Sequence, residues 1–191
     1  RQMCIRDSID GVDTVVRMAA AFASTLEFST GDIIGALVLI QLVAFVATLI
    51  YIKISNYIGL TNGIYLGILG YVVIIICGFF VENVAQFYIV AFLIGCFQGG
   101  IQSISRSLYS RIIPENKAAE FYGFYNMLGK FAAVFGPVLM GSVTLILSNN
   151  FDDEITAARY GLLSIMILFI LGAYVFSKVD IAEGEAIAKN L

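Results

Sequence analysis

The sequence predicts an all-α protein that crosses a membrane several times. Of its 191 residues, 60% are hydrophobic and only 13% are charged, and the mean hydropathy is +0.92. Soluble domains average about 25% charged residues, so this chain has too few to cover the surface of a soluble globule. The charges also divide the chain into apolar stretches of about 20 residues, the length of a helix that crosses the hydrocarbon of a bilayer. We therefore expect a lipid bilayer around it.

The composition excludes several classes of function. The formal net charge is -3 and the chain has no basic block, which excludes a nucleic-acid partner. It has no His, the commonest general base and metal ligand. Its three cysteines, Cys4, Cys77 and Cys96, stand far apart in the sequence. We expect no metal, no cofactor and no catalytic residue, and we predict that the protein is not an enzyme.

The first predicted elements are a polar edge and a weak span. Residues 1–8 join no hydrophobic period, and we interpret them as the ragged edge of a fragment without a signal peptide. The next segment, 10–28, carries Asp10, Asp13 and Arg17 as well as a run of apolar residues. A solvent-exposed amphipathic helix is therefore the alternative to a span at this position.

The remaining predicted spans are clearer. No charge lies between Asp32 and Lys53, and Lys130 is the only charge between Phe121 and Phe151. A six-helix bundle is predicted over 9–179, followed by a cytoplasmic tail at 180–191. Its spans are predicted at about 10–28, 33–52, 62–80, 83–106, 119–147 and 159–178.

The charges between the spans predict the orientation. If Asp10 starts inside, the outer connections contain one cation, Arg159, among several acids. The inner segments then contain Lys53, Arg106, Arg111, Lys117 and Lys178. This asymmetry follows the positive-inside rule. We expect a multi-pass protein of the inner cell membrane with both ends in the cytoplasm.

Polar side chains on the first and fourth spans are candidate pathway residues, because such groups are costly in lipid. The spacing of three and four residues puts Asp10, Asp13 and Arg17 on one helical face. They form either a gate or ion site, or an ion pair at the level of the lipid headgroups. On the fourth span, Gln98 and Gln102 lie on one stripe, where they line a hydrated cavity or join helices. Small residues at Gly95, Gly99 and Gly100 favour close approach of another helix there.

Lys130 is the most informative residue of the fifth span. It lies 10 residues beyond Glu120, which places it about 15 Å into the bilayer. Its stripe contains Gly123, Asn126 and Pro137, and we expect this stripe to face the bundle interior. Lys130 there binds an anionic group or forms a structural buried pair. Gly136 and Pro137 predict a broken, kinked helix.

The stretch from Gln98 to Pro137, QGGIQSISRSLYSRIIPENKAAEFYGFYNMLGKFAAVFGP, resembles a known family. It is similar to the second-half signature of the unknown-major-facilitator family, which is related to the vacuolar effluxers linked to autophagy. The opening Ile9–Ala20 is similar to the start of that family's seventh helix. The resemblance runs from about Ile9 to Val179. Ser103, Ile104 and Gly129 depart from the usual pattern, and Asn56 replaces the usual acid of the loop after the second span.

The resemblance implies one half of a major-facilitator fold, with the N-terminal six-helix half missing from this chain. It implies a secondary transporter that works by alternating access. The matching positions are Asp10, Gly11, Gln98, Gly99, Gly100, Gln102, Ser105, Arg106, Pro114, Glu120, Gly123, Tyr125, Lys130, Gly136 and Pro137.

The leading functional hypothesis is efflux of a small polar solute, with an amino acid as the suggested substrate. The expected transport pathway contains Asp10, Asp13, Arg17, Gln98, Gln102, Asn126 and Lys130. Arg106, Arg111 and Glu120 are expected to form a cytoplasmic gate. The alternative is a membrane scaffold or an oligomeric channel that does not perform active transport. A lipid-handling membrane enzyme is the third hypothesis, and no residue pattern supports it.

Overall fold

A computed structural model describes residues 4–114, 117–148 and 154–178, without the side chains of 4–14, 128–133 and 154. These ranges form six α-helices and no strand. The helices are α1 (Cys4–Thr25), α2 (Thr30–Ile58), α3 (Leu60–Phe79), α4 (Val84–Ile112), α5 (Ala118–Ser148) and α6 (Glu154–Ser177). The predicted all-α class is confirmed.

Four of these helices are long and apolar enough to cross a membrane: α2, α3, α4 and the segment Ile155–Ser177 of α6. In α1 and α5, the apolar segments with described side chains are the shorter Val15–Thr25 and Val134–Ser148. The class of a multi-pass membrane protein is therefore confirmed, and spans in α1 and α5 remain predictions.

Three local features differ from the predictions. Helix α1 begins at Cys4, so residues 4–8 of the supposed ragged edge are helical. Helix α4 continues to Ile112, because the polar residues after the predicted span extend the helix beyond the apolar length. Gly136 and Pro137 do not divide α5, which is continuous from Ala118 to Ser148 with Pro137 inside it, and the predicted kink stays a prediction. Proline removes one backbone donor, and the bonds of the neighbouring turns keep the helix intact.

Short polar caps start two of the membrane helices. The Ser29 hydroxyl accepts a hydrogen bond from the Asp32 amide at 3.2 Å, and its O–H group donates to the Asp32 carboxylate at 2.7 Å. At the start of α4, the Asn83 side chain accepts from the Gln86 amide at 3.0 Å. Each cap satisfies an amide that the first turn leaves without a helix partner.

A one-residue turn joins α2 to α3. Gly59 has φ +93 and ψ 147, a backbone conformation that residues with a side chain rarely adopt. Its amide donates to the Ser55 carbonyl at 2.8 Å, and its carbonyl accepts from the Gly63 amide at 2.9 Å. Gly59 therefore closes one helix and opens the next.

The helices pack around α1, which touches all five others. The most extensive packing joins α2 to α4, and α6 packs on α1, α3 and α5. Tyr71 of α3 and Phe169 of α6 are almost fully buried and stack at 5.2 Å between ring centroids. Helix α2 leaves most of its apolar surface exposed, including Phe45 at 75%, which suits contact with lipid or another bundle.

Ring contacts and an ion pair identify the helix ends that lie together. Phe28, just after α1, packs on Phe87 near the start of α4. Glu82 precedes α4, and its carboxylate lies 3.8 Å from the guanidinium of Arg159 near the start of α6. This end of the bundle is the predicted outer end. The opposite end contains Lys53, Arg106, Arg111 and Lys178, the predicted inner cations.

Candidate functional site

The polar stripe of α4 lies on the face that meets α1 and α5. On this face Ile94 lines a small apolar space with Val15 and Phe22 of α1. Further along the same face, the ring of Tyr109 lies 4.6 Å from that of Tyr125 of α5. Helical spacing places Gln98, Gln102 and Ser105 between these two contacts. The stripe therefore follows the α4 face that lies near α1 at Ile94 and meets α5 at Tyr109.

Two oxygens of this stripe are buried without a hydrogen-bond partner among the described residues. Ser105 is 0% exposed and its hydroxyl is unpartnered, and the side-chain carbonyl of Gln98 is buried and unpartnered. Gln102 is half-buried. A buried polar group without a partner costs about 1–3 kcal/mol, and lipid supplies no water to relieve it. The bundle therefore holds unsatisfied hydrogen-bonding capacity along α4.

Small residues of α4 allow α2 to approach closely beside this stripe. A Cβ at Gly95 would lie 2.8 Å from the Val43 Cβ and 2.9 Å from the Ile40 carbonyl oxygen. A Cβ at Gly99 would overlap the Thr48 hydroxyl. At Gly100 the ring of Tyr51 occupies the space that a side chain would need. These three glycines thus line the α2–α4 contact.

Sequence reasoning missed a second glycine row, on α3, and the tyrosine that it holds. The Tyr51 hydroxyl of α2 donates to the Gly63 carbonyl at 2.7 Å, and it lies 2.8 Å from where a Cβ at Gly67 would stand. Tyr51 therefore ties α2 to α3 while its ring packs on α4. The signal was available, because glycines four residues apart mark a close helix contact.

Two residues of the predicted α5 stripe lie on the outer surface of these six helices. Asn126 and Gly123 are exposed, and nothing lies within 4 Å of a Cβ placed at Gly123. The expectation that these two residues face the bundle interior is wrong. The expectation that Gly123 packs against another helix of this bundle is also wrong. The cause is that α5 packs on α1 and α6 through other faces. Gly136 is buried and Pro137 is half-buried.

The charged pathway candidates are only partly within the described residues. The side chains of Asp10, Asp13 and Lys130 lie outside them, so their roles stay predictions. Arg17 is exposed on α1. The structure therefore brings together the polar residues of α4 and leaves the predicted charges of α1 and α5 untested.

The predicted gate residues are exposed at the predicted inner end of the bundle. Arg106 and Arg111 lie in the last turns of α4, and Glu120 lies in the first turn of α5. Within the described part of the chain, none of the three has an ion pair or hydrogen bond through its side chain. Their charges remain available for other contacts.

No metal site is visible among the side chains that the structure describes. No three of their His, Cys, Asp or Glu residues lie close enough to hold an ion. Cys77 and Cys96 are both free thiols. The polar chemistry of the bundle is that of amides, hydroxyls and surface charges.

Comparison with known proteins identifies the family of this chain. Residues 8–189 match the family described as "Vacuole effluxer Atg22 like". The chain belongs to this family. The predicted resemblance to major-facilitator and vacuolar effluxer proteins is therefore confirmed.

Individual relatives come from bacteria and yeasts. The chain is 33% identical over 171 residues to the "Uncharacterized MFS-type transporter YxiO" of Bacillus subtilis. The matched region covers 90% of this chain and 38% of that protein. It is 29% identical over 121 residues to "Autophagy-related protein 22" of Vanderwaltozyma polyspora, covering 61% of this chain and 22% of that protein. The chain therefore spans well under half the length of these curated relatives.

Proposed function

We propose that the full-length protein containing this chain is a secondary transporter that moves a small polar solute by alternating access. An amino acid is the first candidate, and efflux is the proposed direction. Membership of the effluxer family supports this proposal. The observation that carries it within the bundle is the pair of buried, unpartnered oxygens on α4, at Gln98 and Ser105.

These oxygens suit a solute site better than a purely structural contact. A structural polar residue in a membrane helix normally finds a partner on its own or a neighbouring helix. Ser164 of α6 is such a case, because its buried hydroxyl donates to the Gly161 carbonyl at 2.6 Å. Ser105 and Gln98 have no such partner among the described residues. Water or a polar solute would supply the missing donors.

The outward-facing residues of α5 fit a cavity shared with a second bundle. Asn126 is polar and exposed at membrane depth, and Gly123 lies beside it on the same face. Lys130 follows Asn126 by four residues, and we propose that it shares this face. We propose that a second six-helix bundle covers the face, and that Lys130 holds an anionic group of the solute.

The charges of α1 and of the inner end complete the proposed pathway. Helices α1 and α4 are antiparallel, and Val15 packs near Ile94, so the earlier turn of α1 with Asp10 and Asp13 would run toward the level of Gln98. Arg17, Asp10 and Asp13 are proposed to bind a coupling ion or solute charge. Arg106, Arg111 and Glu120 are proposed to close the cytoplasmic side. In this orientation both termini lie in the cytoplasm and the protein resides in the inner cell membrane.

The matched pair Ser105→Ala and Ser164→Ala tests the proposal in proteoliposomes made with the full-length protein. Amino acids, sugars and organic anions are offered as labelled solutes, and uptake is measured under an imposed proton gradient. Loss of a solute hydrogen bond should lower uptake by roughly threefold to tenfold in Ser105→Ala. Ser164→Ala should leave uptake unchanged, because its hydroxyl serves only its own helix.

Lys130→Leu separates transport from the alternative functions. A transporter that uses this lysine should lose uptake while keeping its elution volume in gel filtration. If Lys130→Leu and Ser105→Ala transport as well as the parent protein, the proposed pathway is refuted. If no solute is moved in either direction, the scaffold hypothesis replaces the transporter.

A further inference from the structure

The contacts between helices divide the bundle into two units of three. In the first unit α4 packs on α2 and α3, and in the second unit α1 packs on α5 and α6. Glycines interlock the helices inside each unit. A Cβ at Gly99 of α4 would overlap the Thr48 hydroxyl of α2, and a Cβ at Gly161 of α6 would overlap the Thr144 hydroxyl of α5. We call the line along which α4 faces α1 and α5 the seam between the units.

The two units are joined most firmly through α3 and α6, on the side away from the seam. The rings of Tyr71 and Phe169 stack almost parallel there, at 8° and 5.2 Å between centroids. The rings of Tyr65 and Phe176 pack edge to face, also at 5.2 Å. By comparison, α1 and α4 make a less extensive contact. The α3–α6 contact is therefore the side about which one unit can turn against the other.

Two apolar cavities lie along the seam, toward the predicted outer end. One of about 20 Å³ lies mainly between α1, α3 and α4, and one of about 10 Å³ lies between α1, α2 and α4. Ala19, Phe87 and Ile94 line both of them. Side chains that border empty space lose the dispersion contacts that a packed neighbour would supply. This part of the closed seam is therefore stabilised less than the interlocked contacts within each unit.

Unpartnered oxygens lie further along the same seam. Gln98 follows Ile94 by one helical turn, and Ser105 precedes Tyr109 by one turn, so both are on the α4 face that borders the seam. The side-chain carbonyl of Gln98 and the hydroxyl of Ser105 are buried and have no hydrogen-bond partner among the described residues. Neither oxygen can meet water or a solute while the seam is closed. Opening would give each one the hydrogen bond that it lacks here.

Side-chain contacts fasten the seam at its two ends. Toward the predicted outer end, the rings of Phe28 and Phe87 lie 5.6 Å apart. At the other end, the Tyr109 hydroxyl donates to the Phe121 carbonyl of α5 at 3.0 Å, and its ring lies 4.6 Å from that of Tyr125. Side-chain contacts can part by rotation about χ angles, whereas interlocked glycines hold two backbones together. The seam is thus closed at its ends and loosely packed between them.

We propose that the seam opens and closes as the two units turn about the α3–α6 contact, and that opening gives water and the solute access to Gln98 and Ser105. The access route to these oxygens then lies inside this bundle, between α4 and its neighbours α1 and α5. The role of the solute rests on the proposed function, whereas the opening of the seam does not. The experiment therefore measures opening separately from uptake.

Thiol labelling in the full-length protein measures the opening. Ser105→Cys is introduced as the only cysteine, and the probe is 2-sulfonatoethyl methanethiosulfonate, a charged reagent that reacts with thiols in contact with water. Ser164→Cys is the matched control, because Ser164 is also buried but its hydroxyl bonds within α6. Global unfolding exposes both positions equally, and local opening exposes only the seam. Ser105→Cys should therefore react roughly tenfold faster or more. Gln98→Cys is a second reporter and should also react faster than Ser164→Cys.

Filling the cavities should slow the labelling. Ala19→Val adds two methyl groups at a position that lines both cavities. Because a filled cavity favours the closed state, Ser105→Cys should react roughly twofold to thirtyfold more slowly in this background. Ala173→Val is the matched control, since Ala173 is also a half-buried helical alanine packed on the core but lies outside both cavities. It should leave the labelling rate unchanged, and gel filtration checks that each variant is folded.

Two results would overturn the proposal. They are labelling of Ser105→Cys and Gln98→Cys no faster than that of Ser164→Cys, or an equal effect of Ala19→Val and Ala173→Val on the labelling of Ser105→Cys. Uptake by the parent protein distinguishes this proposal from the proposed function. Rapid labelling without uptake of any solute supports the opening of the seam and refutes the transporter. Uptake without labelling at either seam position refutes the opening alone.

Discussion

Replacing Gly95 with alanine tests whether the close contact of α4 with α2 stabilises the bundle. The added Cβ would lie 2.8 Å from the Val43 Cβ and 2.9 Å from the Ile40 carbonyl oxygen. Nonbonded carbon atoms pack at about 3.5–4.0 Å. Neither neighbour is the flexible end of a side chain, so α2 as a whole would have to move by roughly half an ångström. Such overpacking costs about 1–3 kcal/mol.

Gly141→Ala is the matched control, because it is also inside a helix and has nothing within 4 Å of the added Cβ. Alanine raises helix propensity by about 0.5–1 kcal/mol at either position, so this gain cancels in the comparison. Gly95→Ala should therefore be about 1–3 kcal/mol less stable than Gly141→Ala.

The assay is the melting temperature of this six-helix chain in detergent. A difference of 1 kcal/mol corresponds to roughly 2–4 °C for a chain of this size. Gly95→Ala should melt several degrees below Gly141→Ala. Equal melting temperatures, or a higher value for Gly95→Ala, would refute the reasoning that the glycine is needed for the α2–α4 contact.

Four further variants test the turns and ends of the helices, and denaturant titration measures the free energy of unfolding of each. Arg159→Gln should lower the free energy of unfolding by about 1–3 kcal/mol, because the Arg159 guanidinium donates a partly buried hydrogen bond to the Val81 carbonyl at 3.2 Å. Glu82→Gln should change the free energy of unfolding by less than about 1 kcal/mol, since the Glu82 carboxylate is 72% exposed. A loss as large as that of Arg159→Gln would contradict this. Gly59→Ala should cost about 1–3 kcal/mol through strain at φ +93, and no loss would show that the turn can relax. Tyr109→Phe should lower the free energy of unfolding by about 0.5–1.5 kcal/mol, because the Tyr109 hydroxyl donates to the Phe121 carbonyl of α5 at 3.0 Å. Unchanged stability would argue against that bond.

The helices themselves were predictable because lipid imposes a simple rule. A segment that crosses the hydrocarbon must be helical and apolar over about 20 residues, and α2 satisfies this between Asp32 and Lys53. The helix ends were less predictable. The continuation of α4 to Ile112 lies outside the lipid, where hydropathy no longer constrains the chain.

The candidate site was predictable in its residue types and less so in its orientation. Gln98 and Gln102 stood out because amides are costly in lipid. The same argument selected Asn126, which the structure exposes on the outer surface of these helices. Polarity shows that a residue avoids lipid, and it does not show which neighbouring helix or cavity the residue faces.

Hydropathy and charge, which are local properties of the chain, were sufficient to determine a helical membrane protein with most of the cations between its spans at one end. The packing of α2 on the glycines of α4, the burial of Ser105 and the cavities beside Ala19 were decided only by the tertiary structure. Each of these features joins helices that are distant in sequence. Their contacts depend on how whole helix faces fit together, which no single stretch of residues specifies.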